Sequence, residues 1–342
     1  MKKLVLCGAG HAHLEVIKNL DLNDFKGWKI ILITLEKDYH YSGSLPRYIL
    51  GEVSIEDLLV DLVKLCRSKN VELILGHYHS HSKKSVQLTS GQNIDYDLLS
   101  LNLGGTQNYL PGAREVLYVR PISNFMNQWD KIVKKWSAIG PENVAIIGGG
   151  PAGIEISAAV RCLQLKFKAS DASVHLFTKS ALVGSVYGGK AAVHLTQDLL
   201  KLGIKIHYNH KIHDFAGLKG QFPVIISALP VQSWGFVVDQ HLMLEDSVFA
   251  VGDCVEIRGG NKNLKSGVLA VRQGRHLLKN IILHIHKKQM CNFQEPNKSL
   301  NLLINGPQSA RLQWRGLSWS GVWVKTLKNF IDSKYIQSFR VN

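Results

Sequence analysis

Two glycine-rich turns carry the chemistry that is easiest to name. Gly148-Gly149-Gly150-Pro151-Ala152-Gly153 is a complete G-x-G-x-x-G, and Gly8-Ala9-Gly10-His11-Ala12-His13 repeats the pattern with histidine in the third glycine's place. In such a turn the first glycine permits the tight bend and the second lets the backbone approach a pyrophosphate. The third lets helix and strand pack closely, and the phosphates rest on a helix N-terminus whose free N–H groups and dipole favour negative charge. The binding sets are then Gly148, Gly150, Pro151, Ala152 and Gly153 in one turn, and Gly8, Gly10, His11, Ala12 and His13 in the other. His13 should push its helix slightly off the sheet, because a side chain stands where closest packing is usual. Glu36 falls at the end of the following strand, where a carboxylate can accept a ribose hydroxyl; a shift of one residue would put Leu35 there instead.

A third motif, Phe249-Ala250-Val251-Gly252-Asp253, reads as a strand ending in Gly-Asp. Beside two dinucleotide turns, its Asp253 carboxylate can hold polyol hydroxyls, and the next helix N-terminus, at Lys265, Ser266 and Gly267, presents a positive dipole end. Taken alone the segment is a simple β-turn. Glu155 follows the second turn, where a first-turn carboxylate complements the helix dipole, a role Asp would fill equally. Thr178-Lys179-Ser180 follows the second unit's second strand without the acid that would hold a free 2′-hydroxyl, and Lys179 could accept a 2′-phosphate.

Other reactive residues point to less. The five cysteines, at 7, 66, 162, 254 and 291, include no Cys-x-x-Cys pair. That argues against a disulfide framework and against thiol–disulfide chemistry, and it fits a reducing cytoplasm. Cys254 beside Asp253 reads as a small buried residue. His77, His79 and His81 alternate along one strand face and could chelate a metal, but beside Ser82-Lys83-Lys84 they read as a solvated hairpin face; His207, His210 and His213 are read the same way. No metal site is expected, and no Ser/His/Asp triad is present.

The elements that must position these residues follow from the apolar pattern. Residues 3–7 and 29–35 read as strands flanking a helix over 14–20, a βαβ unit of mononucleotide-binding length. Residues 71–103 alternate like an antiparallel meander with a turn at Ser90-Gly91-Gln92. A connecting helix over 123–138 precedes a second βαβ start: strand 144–147, helix 154–163 and strand 173–177. Strand 247–251 leads to a helix over about 266–286. Two short strands follow, and the tail closes with an aromatic, basic amphipathic helix around 323–339. The predicted fold class is α/β, with two Rossmann-like dinucleotide-binding domains of the three-layer ββα type carrying antiparallel meanders.

Composition bounds the rest. A length of 342 residues suggests about two domains. With 45% hydrophobic and 20% charged residues the chain can bury a sizeable core. No run of about 18 apolar residues predicts a transmembrane helix. The N-terminal Met1-Lys2-Lys3-Leu4-Val5-Leu6-Cys7 reads as a first strand, since its apolar stretch is too short for a signal peptide. The net charge of +15 is spread out and accompanies no nucleic-acid motif, which favours anionic cofactors, with an anionic membrane surface as a further partner, over nucleic acid.

Several segments together resemble a known family. They are Cys7 to His13, Tyr41-Ser42-Gly43-Ser44-Leu45-Pro46, Tyr96-Asp97-Leu98-Leu99-Ser100-Leu101, Gly148 to Glu155, Phe249 to Cys254, Ala270-Val271-Arg272-Gln273-Gly274, and Trp323 to Lys328 with Ile331-Asp332. The chain resembles the two-dinucleotide-binding flavoprotein superfamily, close to type II NADH dehydrogenases, and still more the flavoprotein module found fused to, or beside, selenide, water dikinases. In that module a histidine at the position of His13 is itself usual. The resemblance implies FAD in a discontinuous domain of residues 1–110 and 240–342, and NAD(P)H on 115–235. It implies that Ser44, Leu45 and Pro46 lie beside the isoalloxazine, that Gly104 belongs to the cofactor-binding set, and that Glu155 approaches the nicotinamide side, where it could steer the nicotinamide or relay a proton. Homodimers are common in the superfamily.

The function expected is an FAD-dependent NAD(P)H oxidoreductase that passes hydride to flavin N5 and electrons to a small quinone-like acceptor. Such transfer needs proximity and orientation more than acid–base groups. The alternatives are a flavin-binding redox-sensing or partner module without turnover, and a soluble reductase linked to selenium or sulfur metabolism. The location expected is cytoplasmic, or peripheral at the inner face of a membrane. The tail with Trp314, Trp319, Trp323, Lys325, Lys328, Lys334 and Arg340 could lie on that membrane, cover a quinone pocket, or simply pack near the flavin.

Overall fold

Continuous apolar runs build both central sheets. Leu4 to Cys7, Ile30 to Ile33, Val144 to Ile147 and Val224 to Ile226 are all buried, as strands covered on both faces must be. The computed structural model describes residues 1–107, 109–112, 116–169, 171–260, 265–296, 300–314 and 316–341. The first sheet has six strands, in the order Met243–Glu245, Val248–Ala250, Leu98–Leu101, Lys2–Cys7, Trp28–Thr34 and Val71–Leu75. All neighbours run parallel except the outermost pair, Met243–Glu245 with Val248–Ala250. The second sheet has five parallel strands, in the order Val116–Tyr118, Val224–Ser227, Val144–Ile147, Val174–Phe177 and Lys205–His207. The fold is α/β with two Rossmann-like units.

Each sheet places its glycine turn at the carboxyl end of a central strand and opens a helix there. Those helices are His11–Lys18 and Pro151–Lys166. In the first unit the helix Gly267–Ile285 packs across His11–Lys18, and a three-stranded antiparallel meander, Tyr78–His81, Ser85–Leu88 and Asn93–Asp95, forms a separate layer. The meander is shorter than the alternation suggested. Val71–Leu75 and Leu98–Leu101, both inside the expected meander, join the parallel sheet instead. Their apolar residues serve a two-sided core, so alternation was a poor guide at those two ends.

The C-terminal segment makes three strands rather than two: Asn301–Gly306, Ser309–Trp314 and Leu317–Gly321, all antiparallel. The helix Val322–Gln337 follows at once. Leu303 and Ile304 of the first of these strands join the second sheet's core, together with Leu45, Ile49 and Leu58 from early in the chain. Both segments thereby reach the helix Pro151–Lys166, and this packing brings distant residues to the site.

Candidate active site

Three glycines of the first unit converge on one residue. A Cβ on Gly8 would stand 2.2 Å from the Asn102 carbonyl oxygen, one on Gly10 2.7 Å from Asn102 Nδ2, and one on Gly252 2.5 Å from Asn102 Oδ1. Gly8 and Gly252 also have positive φ, at 91° and 80°, which side-chain-bearing residues rarely adopt. Asn102 is buried and its Nδ2 has no partner. A buried amide donor normally finds an acceptor, so this one awaits a ligand's oxygen. It lies against Gly10, whose helix directs its free N–H groups to the same place. The cradle therefore fits a pyrophosphate-bearing cofactor on an observation independent of the motif. Asn102 was missed from sequence because the segment after the strand carries no motif of its own.

His13 does not behave as a misfit. Its Nδ1–H donates to the Gly8 carbonyl at 2.6 Å, and Nε2 accepts from the Ser100 hydroxyl at 2.8 Å, with the ring fully buried. The carbonyl can only accept, so Nδ1 must carry the proton. The expected displacement of the helix becomes a hydrogen-bonded bridge from turn to helix to neighbouring strand. His11 hydrogen bonds the Tyr39 hydroxyl, and its Nε2 lies 3.2 Å from where a Gly267 Cβ would stand. Ala12 is buried, and its carbonyl would be 2.3 Å from a Cβ on Gly274, so two helices cross here in near backbone contact.

Asp253 sits in a short 3₁₀ turn, Gly252–Cys254, rather than directly before a long helix. Its carboxylate lies 3.5 Å from Arg120 Nη1. The Gly252 N–H donates to Gln273 Oε1 at 2.7 Å, and Ser266 caps the helix Gly267–Ile285 through the Leu269 N–H. Lys265 Nζ reaches the Asp253 carbonyl at 3.3 Å. Asp253, Ser266 and Gln273 line a recess of about 20 Å³. Glu36 lies two residues past its strand and accepts from the Ser123 hydroxyl at 2.7 Å, with His40 Nδ1 at 3.7 Å. Leu35 points to solvent. Gly104 has φ 69° with open space beside it, in the stretch whose Thr106 pairs with Gln232.

The second turn keeps the full glycine logic. Gly148 has φ 122°, a Cβ on Gly153 would lie 1.7 Å from the Gly148 carbonyl oxygen, and Gly150 faces open space. Pro151 opens the helix and, with Ala152, stands exposed. Lys179 is exposed one residue past Thr178. The histidines at 207 and 210 make ring contacts: His207 stacks on Phe177 and lies 3.0 Å from His175, and His210 meets Phe177 edge-on. Cys7, Cys66, Cys162 and Cys254 are buried free thiols.

Beside the second turn lies a cavity of about 940 Å³. Gly43, Leu45 and Pro46 line it from one side, Pro151 and Glu155 from a second, and Ser266 with Gly267 from a third. Ser44 is buried with its hydroxyl unpartnered. Glu155 accepts from the Ile304 N–H at 2.9 Å and faces Lys328 Nζ at 3.6 Å. Lys328 also meets Asp332 Oδ2 at 3.1 Å and the Gly43 carbonyl at 3.2 Å, and the Tyr41 hydroxyl donates to Asp332 Oδ1 at 3.0 Å. Burial pushes the Glu155 and Asp332 carboxyls up, against the pull of Lys328. Burial depresses Lys328, but its two carboxylate neighbours outweigh that and hold it above the usual lysine range. Lys325 is likewise buried, on Glu52 at 2.6 Å. The tail's lysines 325 and 328 thus point inward. The spacing Lys325, Lys328, Asp332 puts all three on one helical face, a signal that was available in the sequence.

Residues 2–228 match the model of a family described as pyridine nucleotide-disulphide oxidoreductase. A type II NADH:quinone oxidoreductase of Staphylococcus saprophyticus is 22% identical over 82% of this chain and 82% of its own length. Among solved structures, the sulfide:quinone oxidoreductase of Aquifex aeolicus superposes with a TM-score of 0.83 at 17% identity, covering 99% of this chain and 92% of that one. The NDH2 of Plasmodium falciparum in complex with NADH gives 0.80 at 15% identity, over 98% of both chains. The matched residues span both glycine turns, and the cradles they form fit the cofactors. The chain belongs to the pyridine nucleotide-disulphide oxidoreductase family and is a flavin-dependent NAD(P)H dehydrogenase that works with FAD and NAD(P)H.

Proposed function

We propose that this enzyme passes electrons from NAD(P)H, through FAD, to a small quinone-like acceptor. FAD is assigned to residues 1–110 and 240–342, on the Asn102 cradle, and NAD(P)H to 115–235, on Gly148 to Gly153. The cavity of about 940 Å³ carries this reading, because segments from both units line it and the exposed apolar residues Val186, Trp314 and Leu317 are among its lining. Its size is within the usual range for small-molecule sites. The similar oxidoreductases named for quinones lend support. The selenium- or sulfur-serving alternative rests on the motif resemblance alone, and a module without turnover gives way to the family's enzymatic character.

When bound, FAD supplies hydride acceptance and onward electron transfer, chemistry that belongs to the cofactor. The chain binds, orients and manages protons. Gly10 and the Asn102 amide would receive phosphate oxygens, Asp253 would hold ribityl hydroxyls, and the helix N-terminus at Ser266 and Gly267 would offer the flavin a positive dipole end. Glu155 lies at the cavity wall with its proton affinity raised by burial against the opposing pull of Lys328, so it can hold or release a proton at its carboxyl oxygen. Reducing a quinone consumes two protons, and Glu155 is placed to deliver one. Lys179 favours NADPH at least as well as NADH, because no acid stands at that strand end to repel a 2′-phosphate.

Stopped-flow reduction by NADH and NADPH, followed by reoxidation with a panel of acceptors, tests this reading. Bleaching by NAD(P)H with rapid recovery by quinones is expected. Recovery by sulfur or selenium compounds but not quinones overturns the acceptor. A strong kcat/KM preference for NADH removes the role given to Lys179.

A further inference from the structure

One set of groups at the cavity wall is used by neither cofactor assignment. The helix Gly189–Lys201 begins there, and Gly188, Gly189, Lys190, Ala191 and His194 line the space. No side chain caps this helix, and its first turn holds no acid. Its first N–H groups have no partner inside the helix and carry the positive end of its dipole. A Cβ on Gly188 or Gly189 would meet open space. Lys190 and His194 stand four residues apart on one helical face, exposed, with no ion pair or hydrogen bond among the described residues. Gln313 is a second and independent sign. It is 6% exposed and lines the same cavity, yet its Oε1 has no partner. Its Nε2 donates to the Ala191 carbonyl at 3.4 Å, which ties the amide to the first turn of that helix. A buried amide oxygen normally finds a donor, so this one awaits a ligand's hydroxyl or N–H. Trp314 follows it and pairs with Leu317, and both present apolar surface to the cavity.

We propose that these groups form a subsite for an acidic substituent, and that the acceptor is an aromatic quinone bearing a carboxylate or sulfonate. The acceptor's class rests on the quinone reading above; the anion subsite stands on the helix end and Gln313 alone. Charge separates the acceptor from the donor here. A dinucleotide brings one pyrophosphate, and the helix Pro151–Lys166 already offers it an N-terminus, while Lys179 stands ready for a 2′-phosphate. The second N-terminus, with Lys190, is left for another anion. The walls agree: Arg120, Lys190 and Lys265 are among the lining residues, against one carboxylate, Glu155, which already faces Lys328. A cleft lined by one sign of charge concentrates ligands of the other. The body of such a quinone lies on Trp314 and Leu317. Two electrons and a proton from the reduced flavin, with a second proton from Glu155, convert both quinone oxygens to hydroxyls. One of these then donates to Gln313 Oε1.

Two measurements on the holoenzyme test this. In the first, enzyme reduced with NAD(P)H is mixed in a stopped-flow cell with 1,4-naphthoquinone-2-sulfonate or with neutral 1,4-naphthoquinone. Lys190→Gln should slow reoxidation by the sulfonate roughly tenfold at low salt, the weight of one exposed charge acting with a helix end. The loss should shrink as salt rises, and Lys190→Arg should restore the rate. Reoxidation by the neutral quinone should change far less, so the ratio of the two rates collapses in Lys190→Gln. In the second, calorimetry follows naphthalene-2-sulfonate, which has no quinone to reduce, binding to the oxidised holoenzyme. Its Kd should rise roughly tenfold in Lys190→Gln. Equal sulfonate reoxidation and equal Kd in wild type and Lys190→Gln overturn the proposal. A variant that slows reduction by NAD(P)H, with sulfonate reoxidation untouched, would give the subsite to the donor's phosphates and also overturn it. Binding of naphthalene-2-sulfonate that depends on Lys190, with no quinone reoxidising the enzyme, would sink the quinone reading and keep the anion subsite. Fast reoxidation by both quinones without dependence on Lys190 would sink the subsite alone.

Discussion

His13 performs two tasks that a glycine in its place would leave undone: it satisfies the Gly8 carbonyl and it anchors Ser100. His13→Gly would restore the usual fingerprint, yet it should destabilise the protein by roughly 2–4 kcal/mol, through a void and two buried polar groups left without partners. Thermal melts of holoenzyme and variant decide this, and equal melting would refute the bridging role. The same residue carries a pH signature. Burial lowers its pKa to about 4. An unfolded histidine takes its proton near 6.5. Between those values the unfolded state binds the extra proton, so stability falls as pH drops through that window. Wild type should therefore lose about 1.4 kcal/mol per pH unit more steeply than His13→Gly from about 6.5 to 4, measured by denaturant unfolding. The residue was legible as an oddity in the motif. Its partner Ser100 was not, because 87 residues separate the two and only the pairing of Lys2–Cys7 with Leu98–Leu101 brings them together.

At the scale of elements, two close approaches of helices separate the proposed cofactor assignments. Gly153 lies where a Cβ would meet the Gly148 carbonyl at 1.7 Å, and Gly274 where one would meet the Ala12 carbonyl at 2.3 Å. Backbone cannot yield cheaply at such distances. Gly153→Ala should leave bound flavin intact and slow its bleaching by NAD(P)H at least roughly tenfold, a modest cost of about 1.4 kcal/mol in the productive geometry. Gly274→Ala should do the reverse, lowering flavin content and melting temperature by prising apart the helices His11–Lys18 and Gly267–Ile285. Absorbance at purification and stopped-flow traces read both effects. The opposite pattern would exchange the two sites. The existence of these helices was plain from the sequence: the expected 266–286 is observed as Gly267–Ile285. The meander was overdrawn at both ends because buried parallel strands and half-exposed antiparallel ones can share an apolar content.

For the molecule as a whole, Lys328 is the tie. It joins Glu155 of the second unit's helix to Gly43 and Asp332, and through Asp332 to Tyr41. Lys328→Met should leave two buried carboxyls without their cation and cost roughly 3–5 kcal/mol of stability. Removing the group that pulls the Glu155 carboxyl down should move its titration further up, since burial and Asp332 both push it that way. The pH profile of quinone-dependent kcat should shift upward accordingly, and kcat at neutral pH should fall by roughly ten- to a hundredfold, less than the roughly 10²–10⁴ that a proton-transfer group itself contributes, because Lys328 acts through Glu155. An unmoved profile would reduce Lys328 to a structural strut. Wild-type stability carries the matching sign at the alkaline end. A lysine held above its unfolded value contributes fully below about 10.4 and loses that contribution as pH rises through its folded value.

The sequence by itself determined the two glycine turns, the strands and helices that flank them, and hence the α/β class, because those depend on backbone freedom and apolar spacing within some thirty residues. It also marked Glu155, Asp253 and Ser266 by their places at helix and strand ends. Only the tertiary structure decided what surrounds them. Asn102 was unremarkable until Gly8, Gly10 and Gly252 closed on it. The sequence left open whether the tail with lysines 325 and 328 lies on a membrane, covers a pocket or packs inward; the hairpin Asn301–Trp314, packed on the helix Pro151–Lys166, draws the last helix over the cavity and buries both. The direction in which an amphipathic helix faces is set by the partner that fills its contacts, and here the partners are the Glu52 and Glu155 carboxylates and the Gly43 carbonyl, all far from it in sequence.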